Sequence, residues 1–281
     1  FARHELRLAW RDWMGLMSGG RKLQDGAVIL SMVIFALGLH GLAYALLAPT
    51  FTDGATLNIA MLVMISATVL LSFTMMLSQA LESVTRAFYA RDDLDLILSS
   101  PSSSAHLFAV RIVLMAGTTA LMSGLMVAPF INVAAILDGT QWLSAYAVLL
   151  AASMAATGTA VFITLGLFKW VGARRTRLVA QITAAVVGAS FLIGIQVVAI
   201  MSYGSMSRFS LLSSETLIES APAMSSPVWW PAMAGAGAPM AVVAVMFVAM
   251  LFFVIAIIAG ANQFRHIVVA ALGVSDHQAT S

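Results

Sequence analysis

The sequence predicts an all-α membrane protein with six transmembrane helices, preceded by an amphipathic helix at the membrane interface, and with both termini in the cytoplasm. Three observations predict this fold: the composition, the length of the apolar runs and the placement of the basic residues. Hydrophobic residues make up 61% of the 281 residues and charged residues only 9%. A soluble domain carries about 25% charged residues, so the composition is typical of a chain surrounded by lipid.

Six continuous apolar runs are each long enough to cross the hydrocarbon core, which takes roughly 20 residues of helix. Barrel strands would be shorter and would alternate apolar with polar residues, whereas a helix satisfies its own backbone hydrogen bonds inside lipid. The predicted spans are 27–48, 57–81, 107–128, 142–168, 178–203 and 240–262. The chain is therefore divided into an interfacial helix with its linker at 1–26 and a six-span domain at 27–281.

The basic residues predict the orientation of these spans. All of the 14 Lys and Arg except Arg208 precede the first span, flank the connections from the second to the third and from the fourth to the fifth span, or follow the sixth span. Basic residues collect on the cytoplasmic side of membrane proteins. This pattern places both termini in the cytoplasm and predicts outer connections at 49–56, 129–141 and 204–239.

Residues 3–17, RHELRLAWRDWMGLM, predict the amphipathic helix. Leu6, Trp10 and Trp13 lie on one side at helical spacing, and basic residues occupy the others. A basic helix with Trp on its apolar side lies in the plane of the interface, so Trp10 and Trp13 are predicted interfacial anchors. The helix either orients the chain only or braces the cytoplasmic mouth of a transporter.

Trp229 and Trp230, flanked by Pro227 and Pro231, stand out in the long third outer connection. Trp favours the level of the lipid headgroups, which predicts an interfacial anchor at this pair. A pair of short or re-entrant helices that shield an outer exit explains the same residues, and both interpretations stay open at this point.

The connection between the second and third spans carries a short helix signal in an otherwise polar loop. Asp92 is a suitable N-cap and Asp95 suits the first turn, while Pro101 disfavours helix in the residue before it. Leu94, Ile97 and Leu98 share one face, which would be exposed to water without a partner. The residues predicted to meet a partner here are Asp92, Asp93, Leu94, Asp95, Ile97 and Leu98.

Two segments resemble the permease subunit of a type-2 ATP-binding-cassette (ABC) exporter: HELRLAWRDW at 4–13 and SQALESVTRAFYARDDLDLILSSPSSSAHLFAVRIV at 78–113. SSPVWWPA at 225–232 is similar to the outer hairpin region of that family. The resemblance implies an elbow helix at the first segment and a coupling helix in the second, docked on a separate ATPase subunit. It also implies a bacterial inner-membrane location and a second permease half or a second copy as partner. Some relatives join two six-span halves, so the chain could be one half of a longer permease.

Enzymatic signatures are missing from the sequence. It holds no Cys, no GxxxxGK[ST], no HExxH and no GxSxG, and these patterns supply nucleotide, zinc and acyl-transfer sites. We therefore predict no catalytic residue, cofactor, metal site or nucleic-acid partner, and membrane lipids as the surroundings. The main alternative to a permease is a non-transporting scaffold subunit, whose small-residue helix faces, such as Ala151–Ala160, would be its functional surface rather than internal packing.

A few polar residues within or near the spans have two interpretations, because they either pair between helices or line a path. His40 is predicted to be a helix-to-helix hydrogen-bond partner rather than a metal ligand. Glu82 and Arg111 reach the same cytoplasmic boundary, which predicts an ion pair or a shared polar cluster. The remaining candidates are Asn58, Gln79, Asn132, Gln181 and Gln196.

Overall fold

A computed structural model describes residues 25–52, 57–89, 104–171, 178–190, 193 and 218–278, and no β-strand occurs in this part of the chain. The protein is therefore all-helical wherever it is described. The helices, numbered in chain order, are α1 (Asp25–Thr52), α2 (Ile59–Tyr89), α3 (Ser104–Asp138), α4 (Ala145–Val171), α5 (Leu178–Ser190), α6 (Trp230–Gly235) and α7 (Pro239–Gln278).

Five helices are long and apolar enough to cross a membrane, and they coincide with the first four predicted spans and the sixth. They are α1, α2, α3, α7 and α4 together with the 3₁₀ turn at Thr140–Ser144 that leads into it. The predicted fifth span, 178–203, is described only through α5 and Ile193. These helices make the chain a multi-pass membrane protein.

Two helices continue into segments that are predicted to be outer connections. The first and third spans were predicted to end before Pro49 and Pro129, but both prolines lie inside helices, which continue to Thr52 and Asp138. A proline lacks only its own N–H, and transmembrane helices tolerate it because neighbouring groups compensate. The first ten residues of the connection predicted at 129–141 are thus helical, and the chain turns at Gly139 with φ +115°, a conformation that favours glycine.

The helix α4 forms the centre of the bundle, in contact with α7, α2 and α3. Its predicted small-residue stretch is largely buried, including Ser153, Ala156, Thr157 and Ala160. Small side chains let helix backbones approach closely. Ala151–Ala160 therefore packs inside the bundle, as the internal-packing interpretation predicts.

Glycines mark the closest approaches of the last helix to its neighbours. A Cβ added at Gly158 of α4 would lie 2.9 Å from the ring of Phe252 of α7. A Cβ at Gly260 of α7 would lie 2.6 Å from the ring of Phe108 of α3. Both rings occupy space that only glycine leaves free, so these two positions fix how α7 seats against the bundle.

The helix α1 lies at the periphery of the described bundle. It packs mainly along α3, and Ala43 is its only buried residue among those described. Its N-terminal half, from Gly26 to Phe35, exposes nearly every described side chain. Contact with the bundle is concentrated in its second half.

Candidate functional site

A line of polar side chains runs along α2. Thr68, Ser72, Gln79, Glu82 and Arg86 follow one another at intervals of four, seven, three and four residues, which keeps them on one side of a helix. We call these five residues the polar stripe. Among the long helices described, α2 is the one whose polar residues gather clearly on one side. From Thr68 to Arg86 the stripe extends about 27 Å along the axis.

The stripe faces away from the protein's own core. Thr68, Gln79, Glu82 and Arg86 are exposed and Ser72 is half-buried. Gln79 and Ser72 form no side-chain hydrogen bond with any residue that the structure describes. The amide and the hydroxyl therefore have no hydrogen-bond partner within the described part of the chain.

The end of the stripe nearest the C-terminus of α2 carries an ion pair. Arg86 Nη2 lies 2.6 Å from Glu82 Oε1, one turn apart on the same helix, and both side chains are exposed. The ion pair that the structure shows at Glu82 is thus with Arg86, and the cluster of Glu82 with Arg111 stays a prediction. Because the two charges compensate each other, this end of the stripe is polar without a net charge.

The helix α5 borders the stripe. A Cβ added at Gly188 would lie 3.0 Å from Oγ of Ser78, so the two backbones run close together at this level. Gln181 lies two turns away on the same face of α5 as Gly188, toward the N-terminus of that helix. It is exposed and has no hydrogen bond to any described residue. The described part of α5 thus carries a second amide, without a described partner, on the face that approaches α2 at Gly188.

The other polar candidates do not line this surface. Asn132 bonds to His40 across two helices, with 3.3 Å between Asn132 Nδ2 and His40 Nε2, which confirms the predicted interhelical role of His40. Asn58 accepts a hydrogen bond from the backbone N–H of Met61 and caps α2. Gln196 lies outside the described residues.

The opposite end of the bundle, which the charge pattern predicts to face outward, is closed by a compact cap. Ser144 Oγ donates to the carbonyl oxygen of Ala234 in α6 at 2.6 Å. A Cβ at Gly237, where φ is +97°, would lie 2.6 Å from Cβ of Gln141. These contacts bind the turn before α4 to the turn after α6, so short helical elements lie at this end, and the outer exit that one of the two interpretations includes stays a prediction.

The two tryptophans of the cap differ in their surroundings. Trp229 is 4% exposed, packs with Leu62 and Val63 of α2, and donates from Nε1 to the carbonyl oxygen of Pro222 at 3.1 Å. Trp230 is 41% exposed. The structure thus gives Trp229 a packing role inside the protein, and the anchor role stays a prediction for Trp230.

The predicted docking residues at 92–98 and the predicted anchors Trp10 and Trp13 lie outside the described residues. The polar stripe was not recognised as a unit from the sequence, although Gln79 was a candidate for lining a path. The recurrence of polar residues at three- and four-residue intervals from Thr68 to Arg86 is the signal that could have found it.

Comparison with protein-family models, with curated proteins and with solved structures found no match.

Proposed function

We propose that the chain is the membrane-spanning permease of an ABC-type exporter in a bacterial inner membrane, with both termini in the cytoplasm. A separate ATPase subunit would bind the segment 92–98 and supply the energy. The proposal joins the resemblance at 4–13 and 78–113 to one structural observation, the exposed polar stripe of α2.

The stripe supports a transport path because its polar groups would be unstable in contact with lipid. Transfer of an unpaired amide or hydroxyl into an apolar medium costs about 2–7 kcal/mol. Ser72 lies 13 residues, or about 20 Å, from the start of α2, close to the middle of a hydrocarbon core that is roughly 30 Å thick. A polar surface at this depth is stable when it faces water or another polar protein surface.

The described helices of one chain do not enclose the stripe, because the polar residues of the stripe point away from these helices. A second permease half, or a second copy of the chain, would provide the opposite wall and leave a polar path between the two. Glu82 and Arg86 would then lie at its cytoplasmic entrance and the cap around Trp229 at its outer end. ATP-driven movement of the docked ATPase subunits would open and close this path.

Single-cysteine variants test the path, since the natural chain has no Cys. We expect Ser72→Cys and Gln79→Cys to react with a membrane-impermeant cationic thiol reagent in native membrane vesicles. Leu70→Cys is the matched control, because Leu70 is exposed on the opposite side of α2 at a similar depth. Equal protection of all three positions until detergent is added would show that the stripe faces no water, and the permease proposal would lose its structural support.

A second measurement tests the energy source. A tagged chain purified from its native membranes should carry an ATP-hydrolysing subunit with a P-loop, identified by mass spectrometry. Leu94→Asp combined with Ile97→Asp should abolish its recovery, whereas Ser102→Asp combined with Ser103→Asp adds the same charge outside the apolar face and should not. Water-accessible stripe residues without any such subunit would favour a transporter of another class. Protected stripe residues in a large complex would favour the scaffold alternative.

A further inference from the structure

Three side chains from three helices form one hydrogen-bonded chain in the outer half of the bundle. The Tyr146 hydroxyl of α4 donates to Oδ1 of Asn132 of α3 at 2.7 Å. Asn132 Nδ2 lies 3.3 Å from Nε2 of His40 of α1, and His40 Nδ1 lies 2.7 Å from the carbonyl oxygen of Ala36. All three side chains are half-buried.

The direction of donation through this chain is fixed by its last member. A backbone carbonyl oxygen only accepts, so the proton of the His40 ring lies on Nδ1. Nε2 faces the amide N–H₂ of Asn132, which only donates, so Nε2 is the acceptor of that bond. The amide oxygen in turn accepts from Tyr146, so each group has the role that its neighbour requires.

These hydrogen bonds lie at the level where α1 begins to contact the rest of the bundle. Ala43, one turn beyond His40, is buried, and the ring of Phe51 meets that of Trp142 edge to face at 5.5 Å between centroids. Toward the cytoplasm, by contrast, α1 exposes nearly every described side chain up to Phe35. The described hydrogen bonds and ring contacts that join α1 to its neighbours thus lie toward one end, and most described side chains at the other end are exposed.

We propose that His40, Asn132 and Tyr146 form a clamp that fixes the outer half of α1 to α3 and α4, so that its cytoplasmic half moves as a lever about this point. The physical basis is the contrast between the two halves. Interhelical hydrogen bonds are directional and hold one relative orientation, whereas apolar side chains in lipid exchange protein contacts for lipid contacts at little cost. The proposal concerns the mechanics of α1 and does not depend on the transport function.

Spin-label distances in lipid nanodiscs test the clamp. One pair of labels joins Leu46 of α1 to Val243 of α7 near the outer end, and a second joins Ile34 to Ile258 nearer the cytoplasm; all four side chains are exposed. We expect a narrow distance distribution for the outer pair and a broad one for the cytoplasmic pair. Equally narrow distributions for both pairs would overturn the lever.

Variants of the clamp supply the second readout. Asn132→Leu should broaden the outer distribution to the width of the cytoplasmic one, and Tyr146→Phe should broaden it less because the bond to His40 is kept. Thr118→Val on α3 is the matched control, since its hydroxyl bonds only the carbonyl oxygen of Met115 on its own helix at 3.0 Å. An outer distribution unchanged by Asn132→Leu would overturn the clamp.

Two further measurements remain informative if a variant unfolds. Nitrogen-15 solid-state NMR of the folded wild-type protein should show the Nδ1–H tautomer for His40, assigned through loss of the signal in His40→Gln; the Nε2–H tautomer would contradict the bond order. A double-mutant cycle of His40→Leu with Asn132→Leu should give a coupling of about threefold in the unfolding equilibrium constant, the mean for such bonds in membranes. Full additivity would contradict the bond itself.

Discussion

The helices α4 and α1 are almost equally apolar, yet they occupy opposite environments. In the most apolar stretch of α4, 56% of the residues are buried inside the protein, whereas the figure for α1 is 6%. The difference follows from side-chain size and not from hydropathy. Between Ala151 and Ala160 the chain of α4 is rich in Ala, Ser, Thr and Gly, while α1 presents Ile29, Leu30 and Phe35 on its surface.

Apolarity allows both helices to enter the membrane, while close packing decides where each of them lies in the bundle. Lipid tails are as apolar as Leu, so large aliphatic side chains gain little by leaving lipid for protein. Small residues allow backbones to approach, and the resulting van der Waals contacts provide the gain. Stability changes should therefore follow packing at each position and not residue type.

The largest effect is expected at the two adjacent tryptophans. They allow a buried and an exposed environment to be compared with the same side chain. Trp229→Ala should lower the free energy of unfolding by about 3–5 kcal/mol, since it empties a buried ring site and removes the hydrogen bond to Pro222. Trp230→Ala should cost clearly less, because that ring is partly exposed. SDS-induced unfolding in mixed micelles measures both, and equal losses would mean that burial in the cap does not stabilise the fold.

A smaller effect is expected at glycines of the two environments. Gly260→Ala should lower the free energy of unfolding by about 1–3 kcal/mol, because the new methyl group would overlap the ring of Phe108. Gly38→Ala on α1 is the matched control, since a Cβ there meets nothing within 4 Å, and it should change the stability by about 0.5 kcal/mol or less. If Gly260→Ala proves as neutral as its control, α7 is not seated by this contact.

Much of the fold could be predicted from the sequence, because each helix that crosses the membrane needs a continuous apolar run of about 20 residues. Continuous apolar runs located five described spans, and Gly139 marks the real turn between α3 and α4. The ends of α1 and α3 could not be predicted from Pro49 and Pro129, because the effect of a proline on a helix depends on neighbouring groups that the sequence does not place. The ends of apolar runs are therefore less informative than the runs themselves.

The site was harder to predict, because polar side chains of the same type have different roles at different positions. Asn132 and Gln79 are both amides within spans, but Asn132 pairs across helices and Gln79 is exposed. Which of the two roles a residue takes depends on whether its face of the helix meets a neighbour. Only the regular spacing along α2 distinguishes a surface from isolated pairs, and that spacing is visible when several residues are considered together.

Thr157 offers the smallest and most selective test of the comparison, because it is a polar residue at the centre of the packed helix. Its side chain is fully buried, and Oγ1 has no hydrogen-bond partner among the described residues. Thr157→Val keeps the shape and removes the unpaired hydroxyl, so the free energy of unfolding should rise by about 1 kcal/mol. Thr159→Val is the control, since that hydroxyl donates to the carbonyl oxygen of Ala155 at 2.8 Å and its loss should give no gain. A loss of stability in Thr157→Val would show that the hydroxyl is bonded in the assembled protein, and polarity as well as packing would then hold α4 at the centre.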